Sequence, residues 1–220
     1  GQVPRTTGHP HKQNEKRMTP ARLIAQTLSV VFQPAFYPLV GFIILFTLTY
    51  LSMMPWEFKL WVLVSVYVFS IAIPYIMTFF IRKTNGWSRH DLHQQNRRYI
   101  VYFINIISYL SCMYVCYRLY LPSFMGAILV VSLLVQCACV ITNMWYRVSM
   151  HSAGTGVIIG ALLAYSHIFA FNPTGWLCIS ILLSGAVMSS RIYLKGHTLG
   201  QVLSGTFIGI ICGIVGIMVW

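Results

Sequence analysis

The sequence predicts an all-α fold, a polytopic transmembrane helical bundle of six to seven spanning helices, and three observations predict it. The chain is 57% hydrophobic with only 8% charged residues, where a soluble domain carries about 25%. Its mean hydropathy is +0.72, more apolar surface than one soluble core of 220 residues could hide. The apolar residues also gather in runs of about 20, the length that crosses a bilayer as a helix. Lipid permits only helices and closed barrels. These runs are too long and too continuously apolar for the alternating strands of a barrel.

Residues 1–20 are a polar, basic tail without an apolar h-region, so they do not read as a secretory signal. Residues 21–220 read as a single transmembrane domain, opening with a stretch from Ala21 to Phe32 suited to the membrane interface. The first span falls within 35–53, entered by Pro34 and Pro38, and a Met54-Pro55-Trp56-Glu57 turn precedes the second, at about 60–81. The only long polar connection, 82–98, follows. The third span is about 99–118 and the fourth about 123–144, joined by a turn at Leu121-Pro122-Ser123. Asn172-Pro173 divides the fifth, about 152–171, from the sixth, about 175–189, and the seventh is about 199–219. Trp56, Trp61, Trp87, Trp145 and Trp176 fall near span ends, as in an interfacial aromatic belt. Gly205, Gly209 and Gly213, like Gly156 and Gly160, repeat every fourth residue, a spacing that lets helices approach closely in lipid. The six cysteines lie inside apolar runs and read as small buried hydrophobes, not as metal ligands or disulfides.

The charges are lopsided: 15 Lys and Arg against 3 acids, which are Glu15, Glu57 and Asp91. With no soluble basic domain to carry nucleic acid, the excess points to anionic lipid or an anionic substrate. Threading the helices puts the connection 82–98, Tyr146–Ser152 and Ser189–Thr198 on one side of the membrane. That side collects Arg97, Arg98, Arg147, His151, Arg191, Lys195 and His197, while the other receives only Lys59 and Arg118 among the bases. The positive-inside tendency alone would account for Arg82, Lys83 and the tail. It does not account for two histidine stretches set directly at helix ends, because ionisable groups there are costly and mark sites. Clustered arginine suits phosphate, and two histidines can divide the work of nucleophile and general acid. His167 lies inside the fifth span without charged neighbours and reads as structural.

These residues resemble the membrane branch of the type 2 phosphatidic acid phosphatase superfamily, which shares a helical core with vanadium haloperoxidases. Ser190-Arg191, five residues and His197 match its third motif, with Gln201 where an Asp is usual. Val148-Ser149-Met150-His151 keeps the Ser and His of the second motif but not its Pro and Gly. Arg98, or else Arg97, supplies the arginine of the first, although Asp91 stands in place of its Lys and no Pro follows. The resemblance spans about residues 82–205.

It implies a haloperoxidase-like core and a metal-independent lipid phosphatase with no cofactor. In that scheme His197 attacks phosphorus to form a phosphohistidine. His151 protonates the leaving alkoxide and later activates water. Arg191, Arg98 or Arg97, and Ser149 hold the phosphoryl oxygens, with Ser190 a further candidate. Gln201, one helical turn after His197, accepts its Nδ1–H in place of the Asp. The scarcity of carboxylates argues against a two-metal site. The partner implied is a membrane lipid with a phosphate head group, its tail in the bilayer, with no nucleic acid. The alternatives are a lipid-linked phosphotransferase using the same histidine and a non-enzymatic transporter or inactive relative. A transporter would carry mid-bilayer charges on broken, repeated helices. Family habit turns the active face of a bacterial inner-membrane protein to the periplasm, whereas the charge bias points to the cytoplasm.

Overall fold

Nine α-helices follow one another in the computed structural model, which describes residues 20–48, 50–86, 95–119, 121, 123–170 and 172–219. They are α1 (Pro20–Val31), α2 (Tyr37–Leu48), α3 (Trp56–Tyr67), α4 (Ile73–Asn85), α5 (Gln95–Arg118), α6 (Ser123–Thr142), α7 (Met150–Phe169), α8 (Thr174–Tyr193) and α9 (Leu199–Met218). No strand occurs among the described residues. Among the described residues, five helices are long and apolar enough to cross a membrane: the rod Trp56–Asn85, Ile100–Arg118 of α5, Met125–Thr142 of α6, and all of α8 and α9. This is the pattern of an integral membrane protein.

The rod is continuous because a π-helical turn, Val68–Ala72, joins α3 to α4. Pro74 has no N–H to donate, and its ring would press on the carbonyl four residues back. The chain widens there instead, and the N–H of Ile73 donates to the carbonyl of Val68, five residues back. The Ser108 hydroxyl of α5 donates to the neighbouring carbonyl of Phe69. A kink in lipid persists only where such partners satisfy the backbone.

The first predicted span, 35–53, is shorter in the structure. A 3-10 turn at Pro34–Phe36 precedes α2 and another at Tyr50–Met53 follows it. At 12 residues, α2 is about 18 Å long, well short of the ~30 Å hydrocarbon core. It packs instead into a cluster with the rod, α5 and α6, built on Phe42, Phe46, Val62, Val66, Tyr109 and Met125. The rod and α8 extend past the predicted 60–81 and 175–189, because their polar end residues continue the helix beyond the apolar run. The 20-residue α7 opens with a polar half, where His151, Ser152, Thr155, Gly154 and Gly156 precede its apolar run.

Those glycines set the contact that matters for the site. A Cβ on Gly156 would lie 2.2 Å from the carbonyl oxygen of Thr206, and one on Gly209 would lie 2.0 Å from that of Ala153. With no side chain at these positions, α7 and α9 press backbone to backbone. Gly205, Gly209 and Gly213 meet Ser149, Ala153 and Val157 in order, so the two helices run parallel. Their N-termini therefore emerge together, and α8 returns to the same end.

Candidate active site

Three chain ends meet where α7 begins, α8 finishes and α9 begins. The first is prepared by Ser149, the N-cap of α7. Its hydroxyl accepts from the Ser152 N–H at 3.4 Å and lies 3.2 Å from the Ser152 hydroxyl. Its own N–H donates to the carbonyl of Gln201 at 3.2 Å, tying the two helix starts together. Ser149 is fully buried. Ser190 is buried too, and its hydroxyl donates to the Val187 carbonyl at 2.7 Å. Both serines, expected to touch phosphate, are thus engaged in helix bonds beneath the site.

One residue past the first helical position stands His151, ahead of the apolar part of α7. The Tyr37 hydroxyl holds its carbonyl at 3.1 Å, and the Tyr37 ring lies over Gly154, where a Cβ would come within 1.8 Å of it. The imidazole is mostly withdrawn from solvent. Burial, then the charge of Arg191 and the neighbouring His197, lower its pKa to about 4, while the Ser29 backbone beside the ring opposes them. His151 is therefore neutral at pH 7.

Arg191 arrives from the last turn of α8. Its Nη1 donates to the Ser29 hydroxyl at 2.7 Å, while its Nε is buried with no partner. The chain leaves α8 through a tight turn: Lys195 takes φ 54°, and the Gly196 N–H donates to the Arg191 carbonyl at 3.1 Å. A Cβ on Gly196 would sit 3.3 Å from Arg191 Nη2, so a glycine there leaves room for the guanidinium. Arg147 is near enough to add its charge.

The turn delivers His197 to the start of α9. Its Nδ1 lies 3.1 Å from the Gln201 side-chain oxygen. That oxygen also accepts from the Thr198 N–H at 3.2 Å, completing a capping box with Thr198 as N-cap. Nδ1–H donating to Gln201 places the imidazole lone pair on Nε2.

The structure thus gathers His151, Arg191, His197 and Gln201 at one end of the bundle. Arg97 and Arg98 fall in the first turn of α5, and their side chains lie outside the described residues, as does the middle of the connection 82–98. His167 sits in the last turn of α7, about 24 Å along the helix from His151. Two contributors were not foreseen from sequence, Ser29 and Tyr37. An amphipathic pattern marks the face of α1, but no motif marks a single serine on it. The one acid among the described residues, Glu57, is in the first turn of α3. The cluster is partly desolvated and carries the charge of Arg191. No known protein family, curated protein or solved structure matches the chain.

Proposed function

We propose that this protein is a membrane phosphatase that removes a phosphate group from a lipid through a phosphohistidine intermediate. One observation carries the reading. Two imidazoles gather beside a guanidinium whose Nε is buried and partnerless, and no carboxylate among the described residues is placed to neutralise that guanidinium. A phosphoryl group supplies the missing charge. The likeness of the Ser149–His151 and Ser190–His197 segments to type 2 phosphatidic acid phosphatases supports the same chemistry.

The head group binds with its oxygens against Arg191, whose planar fork suits phosphate. Phosphoryl transfer asks chiefly for positioning and for stabilisation of charge on the equatorial oxygens. The Nε2 lone pair of His197 attacks phosphorus, and the P–O bond to the lipid alkoxide breaks. Protonated His151 gives its proton to that alkoxide. A water then loses a proton to His151 and attacks phosphorus. The P–N bond breaks, and its electron pair returns to His197 as inorganic phosphate leaves. The bound anion is what makes His151 an acid here, because an opposite charge favours the imidazolium that Arg191 and His197 otherwise disfavour. Arg98 or Arg97 would add a second cation to the clamp. Ser149 and Ser190 serve it indirectly, by holding the helix ends.

The location supports a lipid substrate: the cluster lies at the ends of helices whose exposed side chains are largely apolar. The test is phosphate release from phosphorylated lipids by the purified protein in detergent, beside His197→Ala and His151→Ala. The reading requires release by the wild type and its loss in both variants. Release that survives both removes the assigned roles, and release only in the presence of an acceptor alcohol makes the protein a transferase.

A further inference from the structure

α1 belongs to neither histidine stretch, yet one of its residues touches both halves of the site. The helix packs against α8. Arg22, Ala25, Leu28 and Ser29 are at least partly buried along it, while Leu23 and Ile24 are exposed. From its last turn, the Ser29 hydroxyl accepts the Arg191 Nη1–H at 2.7 Å. The Ser29 backbone also lies beside the His151 ring, where it works against the burial and charge that lower the imidazole's pKa. A single residue therefore contacts the proposed phosphate clamp through its side chain and the proposed acid–base group through its backbone.

We propose that Ser29 is a positioning residue, which aims the Arg191 fork and the His151 ring at a common phosphoryl group; this rests on the phosphatase reading above. An arginine side chain has several rotatable bonds, and one charge-assisted bond at Nη1 fixes the plane in which its other donors lie. A backbone polar group beside the imidazole biases its orientation, which sets the ring nitrogen that exchanges protons with the reacting groups. Both constraints come from an amphipathic helix that precedes the bundle, so a competent site requires α1 to be docked on α8.

The two contacts can be separated. Ser29→Ala removes the hydroxyl but keeps the backbone, so Arg191 loses its aim and His151 does not. Ser29→Thr restores the hydroxyl. Ala25→Phe places a bulky ring at a position only 5% exposed and lifts α1 away, removing both contacts. The readouts are orthovanadate affinity, kcat and KM for phosphate release, and thermal stability in detergent. Ser29→Ala is expected to weaken vanadate about tenfold and to raise KM more than it lowers kcat, with unchanged stability and recovery in Ser29→Thr. Ala25→Phe is expected to lower kcat as well. Wild-type vanadate affinity in both Ser29→Ala and Ala25→Phe overturns the proposal, and so does a loss in Ser29→Ala that Ser29→Thr fails to recover. A wild type that binds vanadate yet releases no phosphate sinks the hydrolase reading alone and leaves the Ser29 comparison standing. A wild type that does neither overturns both.

Discussion

The side-chain oxygen of Gln201 receives two groups at once, Nδ1 of His197 at 3.1 Å and the backbone N–H of Thr198 at 3.2 Å. The oxygen that caps α9 is thereby also the oxygen that orients the imidazole. Gln201→Leu removes both acceptor roles. It should cost about 1 kcal/mol of stability as a lost cap and lower phosphate release by about one to two orders of magnitude. Gln201→Glu keeps an acceptor in place and adds a charge, so release should persist. Release assays paired with thermal melts separate the two effects. A folded Gln201→Glu protein without turnover would contradict the orienting role.

His151 makes the protein sensitive to acid. Its pKa is lowered to about 4 in the folded protein, against about 6.5 when unfolded. Between those values the unfolded chain binds more protons, so stability is complete above about pH 6.5 and declines as pH falls towards 4. The loss attributable to this group is at most about 3 kcal/mol. Saturating vanadate should reduce it, because a bound anion raises the folded pKa. Melting curves across this range, with His151→Gln as the control, should show the vanadate-dependent part vanish in the variant. By the same linkage, vanadate binding should take up a proton near neutral pH in the wild type and not in His151→Gln.

Arg191→Lys keeps the charge and loses the fork. A lysine cannot hold the Ser29 hydroxyl and a phosphoryl group in one plane. Vanadate affinity should fall by about 1.5–3 kcal/mol, roughly 10- to 100-fold, as isothermal titration would record. Affinity equal to that of wild type would remove Arg191 from the clamp.

The glycine contacts predict stability by position. Gly209→Ala drives a Cβ to 2.0 Å from the Ala153 carbonyl oxygen, whereas nothing lies within 4 Å of a Cβ on Gly185. Gly209→Ala should destabilise by about 1–3 kcal/mol as an overpacked contact. It should also lower phosphate release, because α7 carries His151 and α9 follows His197. Gly185→Ala should be neutral or slightly stabilising, since alanine is the better helix former. Thermal unfolding in detergent compares them directly.

Much of this arrangement was legible in the sequence because lipid imposes a coarse code. Runs of about 20 apolar residues and a four-residue glycine repeat foretell long helices with small-residue packing faces on α7 and α9, although not that these faces meet each other. Counting crossings then brings His151, Arg191 and His197 to one side. What escaped is short-range or tertiary. The 35–53 segment has the hydropathy of a span, but 3-10 turns flank its helix. The π turn before Pro74 depends on Ser108 from another helix. The expected phosphate contacts of Ser149 and Ser190 meet nearer competitors, a helix start at 149 and the Val187 carbonyl, because small hydroxyls readily bond local backbone. Ser29 was invisible for the opposite reason: it lies 162 positions from Arg191, and only the docking of α1 on α8 joins them.

The account stands or falls on a phosphoryl group reaching His197. After brief incubation with a phosphorylated lipid and an alkaline quench, mass spectrometry of the digested protein should find a phosphoryl adduct on the peptide carrying His197. The adduct should be acid-labile, absent from His197→Ala and longer-lived in His151→Ala, where water is no longer activated. Phosphate release by the wild type with no adduct on His197 under any quench, or with the adduct on another residue, would contradict it.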